Sequence, residues 1–169
     1  MNKNRQTVRK IAYLGLMTSA ALILSWLEAM LPPLYSAVPG IKLGLPNIVI
    51  IFILYRFGIL SAACVSLLRV GIVALLFGNP MTLMYSLAGA VLSLSVMWLL
   101  KKLNILSQVA VSVAGGVFHN IGQIIVAMIL LRTAEIGYYM IVLAVTGTLS
   151  GIFIGLLAAL LLKKMPRIK

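Results

Sequence analysis

The run YYMIVLAVTGTLSGIFIGLLAALLL, residues 138–162, contains no charged side chain. About 20 consecutive apolar residues in an α-helix cross the hydrocarbon core of a bilayer. The run is therefore long enough to span a membrane, and we expect a transmembrane helix over 138–162.

The composition extends this prediction to the whole chain. Of its 169 residues, 63% are hydrophobic and 9% are charged, and the mean hydropathy is +1.16. A soluble domain of this size could not bury so much apolar surface. We therefore expect an all-α integral membrane protein with a single transmembrane domain over 1–169. Further helices are predicted at about 11–31, 47–55 extended into its flanks, 58–77, 82–100 and 109–131.

The charge pattern sets the expected topology. The chain has 14 basic residues and two acidic ones, a net charge of +12. Six crossings place eleven of the basic residues on one side, as the positive-inside rule requires of the cytoplasmic side. We expect a cell-membrane protein with both termini in the cytoplasm, and basic groups that contact anionic lipids rather than nucleic acid. Those eleven residues are Lys3, Arg5, Arg9, Lys10, Arg56, Lys101, Lys102, Lys163, Lys164, Arg167 and Lys169.

The second predicted helix is the weak point of this topology, because its apolar core is too short to cross alone. A re-entrant segment there would give an odd number of crossings, which would break the charge pattern. The preceding segment, residues 31–46, contains four prolines and two glycines. Neither a helix nor a regular strand absorbs that density of turn formers, so we predict an irregular outer loop that caps the protein.

Small residues recur at helical spacing in two predicted spans. The last helix has Gly147, Gly151 and Gly155 in steps of four, a spacing that lets backbones approach closely within a membrane. The stripe has two interpretations, which are packing inside the protein and docking of a separate membrane subunit. The first helix has a weaker version of it: Gly15, Ser19 and Ala20.

Arg69 falls near the middle of the third predicted helix. An ionisable side chain at membrane depth is costly and by default indicates function. Its guanidinium stays protonated and needs an anionic or carbonyl partner. That partner is either Glu28, near the outer end of the first helix, or a ligand.

The fifth predicted helix carries three polar residues, His119, Asn120 and Gln123. The four-residue step from His119 to Gln123 places both on one face. They are either satisfied interior residues or part of a binding pocket, and we expect them to share an interior chamber with Arg69. No metal site and no cofactor are expected, because one histidine, one cysteine and no aspartate do not complete a coordination shell.

Further candidates lie at the expected outer mouth of this chamber. They are Lys42 in the capping loop, Asn47 at the start of the second helix and Tyr85 in the fourth, together with Glu28. With Arg69 they make a cavity of net positive charge, which suits an anionic or amphipathic ligand.

Several strings resemble a known family. They are PGIKLGLPN at 39–47, YSLAG at 85–89 and GGVFHNIGQ at 115–123, with Glu28 and the Arg69 helix. Together they resemble the bacterial Gx transporter family, whose members are often labelled heptaprenyl diphosphate synthase component I.

That family is similar to the S components of energy-coupling factor transporters. The resemblance implies six helices, a capping first outer loop and an outward-facing pocket for a vitamin-like, quinone-precursor or isoprenoid-precursor ligand. It also implies a scaffold subunit, docked on the small-residue face of the first helix at Gly15, Ser19 and Ala20, and separate ATPases.

The enzymatic label does not suit the residues. Prenyl chain elongation needs clustered carboxylates to hold magnesium, whereas the chain has no aspartate and its two glutamates are 107 positions apart. A P-loop string is absent as well, so we do not expect an enzyme. The leading hypothesis is the substrate-binding subunit of an importer. The alternative is a noncatalytic membrane component associated with heptaprenyl diphosphate synthase, in polyprenyl or menaquinone biosynthesis.

Overall fold

The computed structural model describes residues 3–30 and 44–165. Within these ranges the chain forms six α-helices and one 3₁₀-helix, and no strand. The all-α prediction with six helices is confirmed. The α-helices are α1 (Lys3–Met30), α2 (Asn47–Phe57), α3 (Ile59–Phe77), α4 (Pro80–Leu103), α5 (Gln108–Leu131) and α6 (Met140–Lys164), and the 3₁₀-helix Ala134–Tyr139 leads into α6.

Five of the helical segments in the described part are long and apolar enough to cross a membrane. They are α1, α3, α4, α5 and the segment Ala134–Lys164 that contains α6. Only 17% to 39% of the residues in each apolar window are buried inside the protein. Apolar helices with such exposed surfaces fit a multi-pass membrane protein.

The short helix α2 lies at the centre of the bundle. Every residue from Ile48 to Leu54 is buried, and α2 contacts α1, α3 and α6. A helix that is apolar on all sides is stable only when other elements surround it. With 11 residues and a rise of about 1.5 Å per residue, it is about 16 Å long, against about 30 Å for a hydrocarbon core.

Charged side chains of neighbouring helices bind both ends of α2. At its start, the Glu28 carboxylate accepts hydrogen bonds from the main-chain N–H of Gly44 and, at 3.4 Å, of Leu45. At its other end, Lys101 Nζ donates to the Leu54 carbonyl oxygen at 2.6 Å. An anion at the N-terminus and a cation at the C-terminus both complement the helix dipole. They also satisfy main-chain groups that have no partner within the helix.

One end of the bundle, which we call the basic end, gathers several basic residues. There Arg56 Nη2 donates to the Met165 carbonyl oxygen, and the Tyr13 hydroxyl lies 3.6 Å from Met165 Sδ. Lys101 contacts the last turn of α2 at the same end. The charge pattern predicted this grouping. Glu28 and the α3–α4 turn at Gly78 lie towards the opposite end.

Glycines bring α5 and α6 into close contact. A Cβ atom added at Gly116 would lie 2.5 Å from the Gly147 carbonyl oxygen, and one added at Gly151 would lie 2.6 Å from Val113 Cα. Gly155 packs in the same way against Val109 and Ser112. In the structure, the small residues of the α6 stripe pack inside the protein, against α5. This is the first of the two interpretations given above. A separate subunit could bind this face of α6 only if α5 moved away from it.

The small residues of α1 have a different environment. Gly15 and Ser19 are exposed and Ala20 is half-buried. Nothing lies within 4 Å of a Cβ added at Gly15. This face of α1 is therefore open.

The helix ends differ from the predicted ones for local reasons. α1 begins at Lys3 instead of about residue 11, because its polar first turns form helix readily although they are not apolar. α4 begins at Pro80 instead of residue 82, where Asn79 and Thr82 form a capping box and proline takes the first position. Of the predicted capping loop, residues 31–43 and with them Lys42 lie outside the described residues.

Candidate functional site

Arg69, in the middle of α3, is 8% exposed. Its Nη1 donates a hydrogen bond to Ser25 Oγ of α1 at 3.4 Å. Its Nε is buried and has no hydrogen-bond partner within residues 3–30 and 44–165. A guanidinium carries five N–H donors. The described protein therefore leaves part of this cation's hydrogen-bonding capacity unused.

A cavity of about 200 Å³ opens beside Arg69 between α1, α3 and α4. It extends to the α3–α4 turn at Gly78, nine residues further along the chain, which corresponds to about 13 Å of helix. Arg69, Thr82 and Ser86 give the cavity polar atoms. The rest of its lining is small or apolar: Ala29, Val70, Val73, Ala74, Phe77, Gly78 and Leu83.

Arg69 is the charged side chain in the lining of this cavity. Arg69 lies at its inner part, and Thr82 in the first turn of α4 lies at the turn. The N-terminus of a helix carries a partial positive charge, which favours anions nearby. The arrangement is therefore suited to bind an anion that has an apolar body.

Glu28 is close enough to interact electrostatically with Arg69. Its carboxylate, however, also accepts hydrogen bonds from the main chain at the start of α2, and the guanidinium donates to Ser25, one turn earlier on α1. Glu28 thus binds the main chain at the start of α2, which is a role that the sequence did not predict.

His119 and Gln123 lie where α5 packs against α4. A Cβ added at Gly89 would lie 2.9 Å from both Nδ1 and Cε1 of His119, so glycine at this position makes room for the imidazole. Gln123 is 4% exposed, and neither its Oε1 nor its Nε2 has a hydrogen-bond partner in the described part of the chain. Ser93 Oγ, on the same face of α4 as Gly89, is also buried without a partner there.

Asn120 faces the other neighbour of α5. Its Nδ2 donates to the Leu143 carbonyl oxygen of α6 at 2.8 Å, and the same nitrogen would lie 2.9 Å from a Cβ added at Gly147. This amide therefore connects two helices.

The remaining predicted residues are dispersed. The main-chain N–H of Asn47 donates to the Gly44 carbonyl oxygen at 2.8 Å, so Asn47 belongs to the start of α2. Tyr85 is buried on α4, one turn before Gly89.

The structure thus separates the expected chamber into distinct groups. Arg69 lines a cavity with α1 and α4, His119 and Gln123 lie between α4 and α5, and Asn120 binds α6. The histidine and the two amides are not in the lining of the Arg69 cavity. In the described ranges, no three side chains among His, Cys, Asp and Glu come together in a metal-binding group.

Sequence reasoning missed three polar residues around Arg69. Ser25 precedes Glu28 by three positions and shares its helix face, whereas Thr82 and Ser86 are four positions apart on α4. These spacings were visible, but hydroxyls are common in membrane helices because they also bond to the preceding turn, so they gave no distinct signal.

Comparison with known proteins places the chain in a family. No curated protein and no solved structure matches it. The family described as heptaprenyl diphosphate synthase component I matches residues 17–161, a range that includes the Arg69 cavity and most of the six helices. The chain therefore belongs to the heptaprenyl diphosphate synthase component I family.

Proposed function

We propose that this chain is the substrate-binding subunit of a small-molecule importer in the cell membrane, and that it holds an anionic ligand in the Arg69 cavity. The observation that carries this proposal is the buried guanidinium, which lines a cavity and has an Nε without a partner among the described residues.

The cost of burying a charge supports a ligand role. A buried cation is stable when an anion and a full set of hydrogen bonds compensate it. Ser25 offers Arg69 a neutral hydroxyl at 3.4 Å. The Glu28 carboxylate is close enough to interact electrostatically with the guanidinium, but it also binds the main chain before α2, and Arg69 Nε has no hydrogen-bond partner among the described residues. A ligand carboxylate or phosphate would supply the missing acceptors, and guanidinium binds both groups in a bidentate manner.

The size of the cavity limits the ligand. Pockets for drug-sized molecules have volumes of about 300–1,000 Å³, and the cavity has about 200 Å³. It holds the anionic group and a short apolar part of the ligand. Its apolar walls at Val70, Val73 and Phe77 suit an amphipathic anion such as a vitamin-like molecule or a quinone or isoprenoid precursor.

The proposed orientation puts the basic end in the cytoplasm, according to the positive-inside rule. The cavity then opens towards the outside, since its Gly78 turn lies towards the opposite end. Because the sequence has no P-loop, energy would come from separate ATPases through a scaffold subunit. The open face of α1 at Gly15 and Ser19 is the surface we assign to that subunit. The chain itself would catalyse no reaction.

The test begins with mass spectrometry of small molecules that copurify with the protein in lipid nanodiscs. The affinity of the ligand so identified is then measured for Arg69→Gln. We expect a loss of tenfold or more, because the variant removes the charge that the anion binds. The matched control is Arg132→Gln, since Arg132 is exposed at the end of α5. Ser86→Leu, which fills the cavity without changing the charge, should weaken binding as well. Unchanged affinity in both cavity variants would overturn the proposal.

A second candidate function rests on the name of the family. In this alternative the chain is a noncatalytic membrane partner of a heptaprenyl diphosphate synthase. Purification from native membranes separates the two functions. A soluble prenyltransferase that copurifies in a stoichiometric amount favours the partner role, whereas a bound small molecule that is lost in Arg69→Gln favours the importer.

A further inference from the structure

A second apolar cavity, of about 230 Å³, lies between α3 and α4 towards the basic end. It exists because Ala63 and Ser66 of α3 have small side chains. Leu67, Val91 and Trp98 form its walls, and each of these three is 41% to 54% exposed. The cavity is therefore a groove on the lipid-facing surface of the bundle.

A lysine lies at the end of this groove. Lys102 Nζ is 5.6 Å from the centroid of the Trp98 ring, and Lys102 is exposed. The neighbouring Lys101 already donates to the Leu54 carbonyl oxygen. Lys102 is thus the cation of this pair that can receive a ligand.

We propose that the groove binds an acyl chain of an anionic phospholipid, with the phosphate group at Lys102. An apolar channel that ends at an indole ring and an ammonium group matches the order of chemical groups in a lipid. This site is separate from the Arg69 cavity and does not depend on the importer proposal.

Tryptophan fluorescence tests this binding directly. The chain has two tryptophans, Trp26 and Trp98, so Trp26→Phe leaves Trp98 as a single probe. This variant is reconstituted into phosphatidylcholine vesicles with increasing fractions of a phospholipid that carries brominated acyl chains. Brominated phosphatidylglycerol should reach half-maximal quenching at about one fifth of the mole fraction that brominated phosphatidylcholine needs. This factor corresponds to one lysine near an anionic headgroup.

Variants separate the two parts of the site. In the Trp26→Phe background, Lys102→Gln should remove the preference for phosphatidylglycerol, whereas Lys164→Gln, at an exposed lysine of α6, should keep it. Ala63→Leu fills the groove and should reduce quenching by both lipids. Leu60→Phe is its control, because Leu60 is 80% exposed on α3 and does not line the groove.

Three outcomes would overturn the proposal. One is equal quenching by the two brominated lipids in the parent variant. Another is full quenching in Ala63→Leu. A third is a Trp98 that neither lipid quenches, which would mean that a partner protein or a second copy of the chain covers the groove.

Discussion

Glu28 of α1 and Lys101 of α4 bind opposite ends of the same buried helix, α2. The carboxylate accepts from main-chain N–H groups before the helix, and the ammonium group donates to a carbonyl oxygen in its last turn. Both charges complement the helix dipole. An 11-residue helix is marginal by itself, so we expect its stability to depend on these contacts and on packing.

Replacement of the carboxylate tests the first contact. Glu28→Gln keeps the shape of the side chain but weakens its hydrogen bonds to Gly44 and Leu45. We expect the free energy of unfolding to fall by about 1–3 kcal/mol, measured by denaturant titration in mixed micelles. The chain's other acid, Glu135, is exposed. Glu135→Gln should change the free energy of unfolding by less than about 0.5 kcal/mol. Equal stability of the two variants would contradict the role of Glu28.

The lysine pair at the end of α4 gives a matched comparison. Lys101→Met removes the donor to Leu54 and the cation over the Tyr55 ring, and it should lower the free energy of unfolding by about 1–3 kcal/mol. Lys102→Met should cost less, up to about 1 kcal/mol, because Lys102 is exposed and loses only its cation–π contact with Trp98. Thermal unfolding in detergent measures both variants. A larger loss of stability in Lys102→Met than in Lys101→Met would contradict the role of Lys101 at the end of α2.

The same substitution at two glycines tests the helix packing. In Gly151→Ala, the added methyl group would lie 2.6 Å from Val113 Cα, so α5 and α6 must separate. We expect a loss of about 1–3 kcal/mol. In Gly15→Ala nothing lies within 4 Å of the new atom, and the higher helix propensity of alanine should raise stability by up to about 1 kcal/mol. Shifts of the same sign in both unfolding curves would argue against the close α5–α6 contact.

Gln123 provides a test of the polar site between α4 and α5. Both polar atoms of this buried amide lack hydrogen-bond partners among the described residues, and an unsatisfied buried amide costs about 1–3 kcal/mol. Gln123→Met has a similar shape without the polar atoms. We therefore expect it to raise the melting temperature of the purified protein. A lower melting temperature would contradict this expectation and would favour the prediction that Gln123 belongs to a binding pocket.

The sequence predicts the helices well because hydropathy reports directly on length and on the surrounding solvent. The runs that became α3, α5 and α6 are apolar over most of their lengths, and five helices have the expected capacity to span. The short α2 was the doubtful element. Its apolar residues indicate that it avoids water, but the sequence does not show that the protein surrounds it, or that Glu28 and Lys101, from two different helices, bind its ends.

The candidate site was less predictable. The depth of Arg69 and of the polar residues on α5 indicates that they avoid lipid, and all four are buried. Depth does not tell which neighbour each side chain meets. His119 and Asn120 are adjacent in sequence, but they point about 100° apart on a helix, so one meets Gly89 of α4 and the other meets α6. To predict whether these residues share a chamber with Arg69, one must know the order of the helices around the bundle. Hydropathy does not contain that information.

The burial of α2 from Ile48 to Leu54 has a consequence for biogenesis. A segment of 11 residues is too short to be released sideways from the translocon into lipid as an independent stop-transfer sequence. It is joined to α3 through the single residue Gly58, whose φ of 88° makes a sharp corner, so the two would enter as a hairpin. Part of its surface is covered by Ile154 and Ala158 of α6, which follows α1 to α5 in the chain. The nascent chain must therefore hold an incomplete core until α6 has been synthesised.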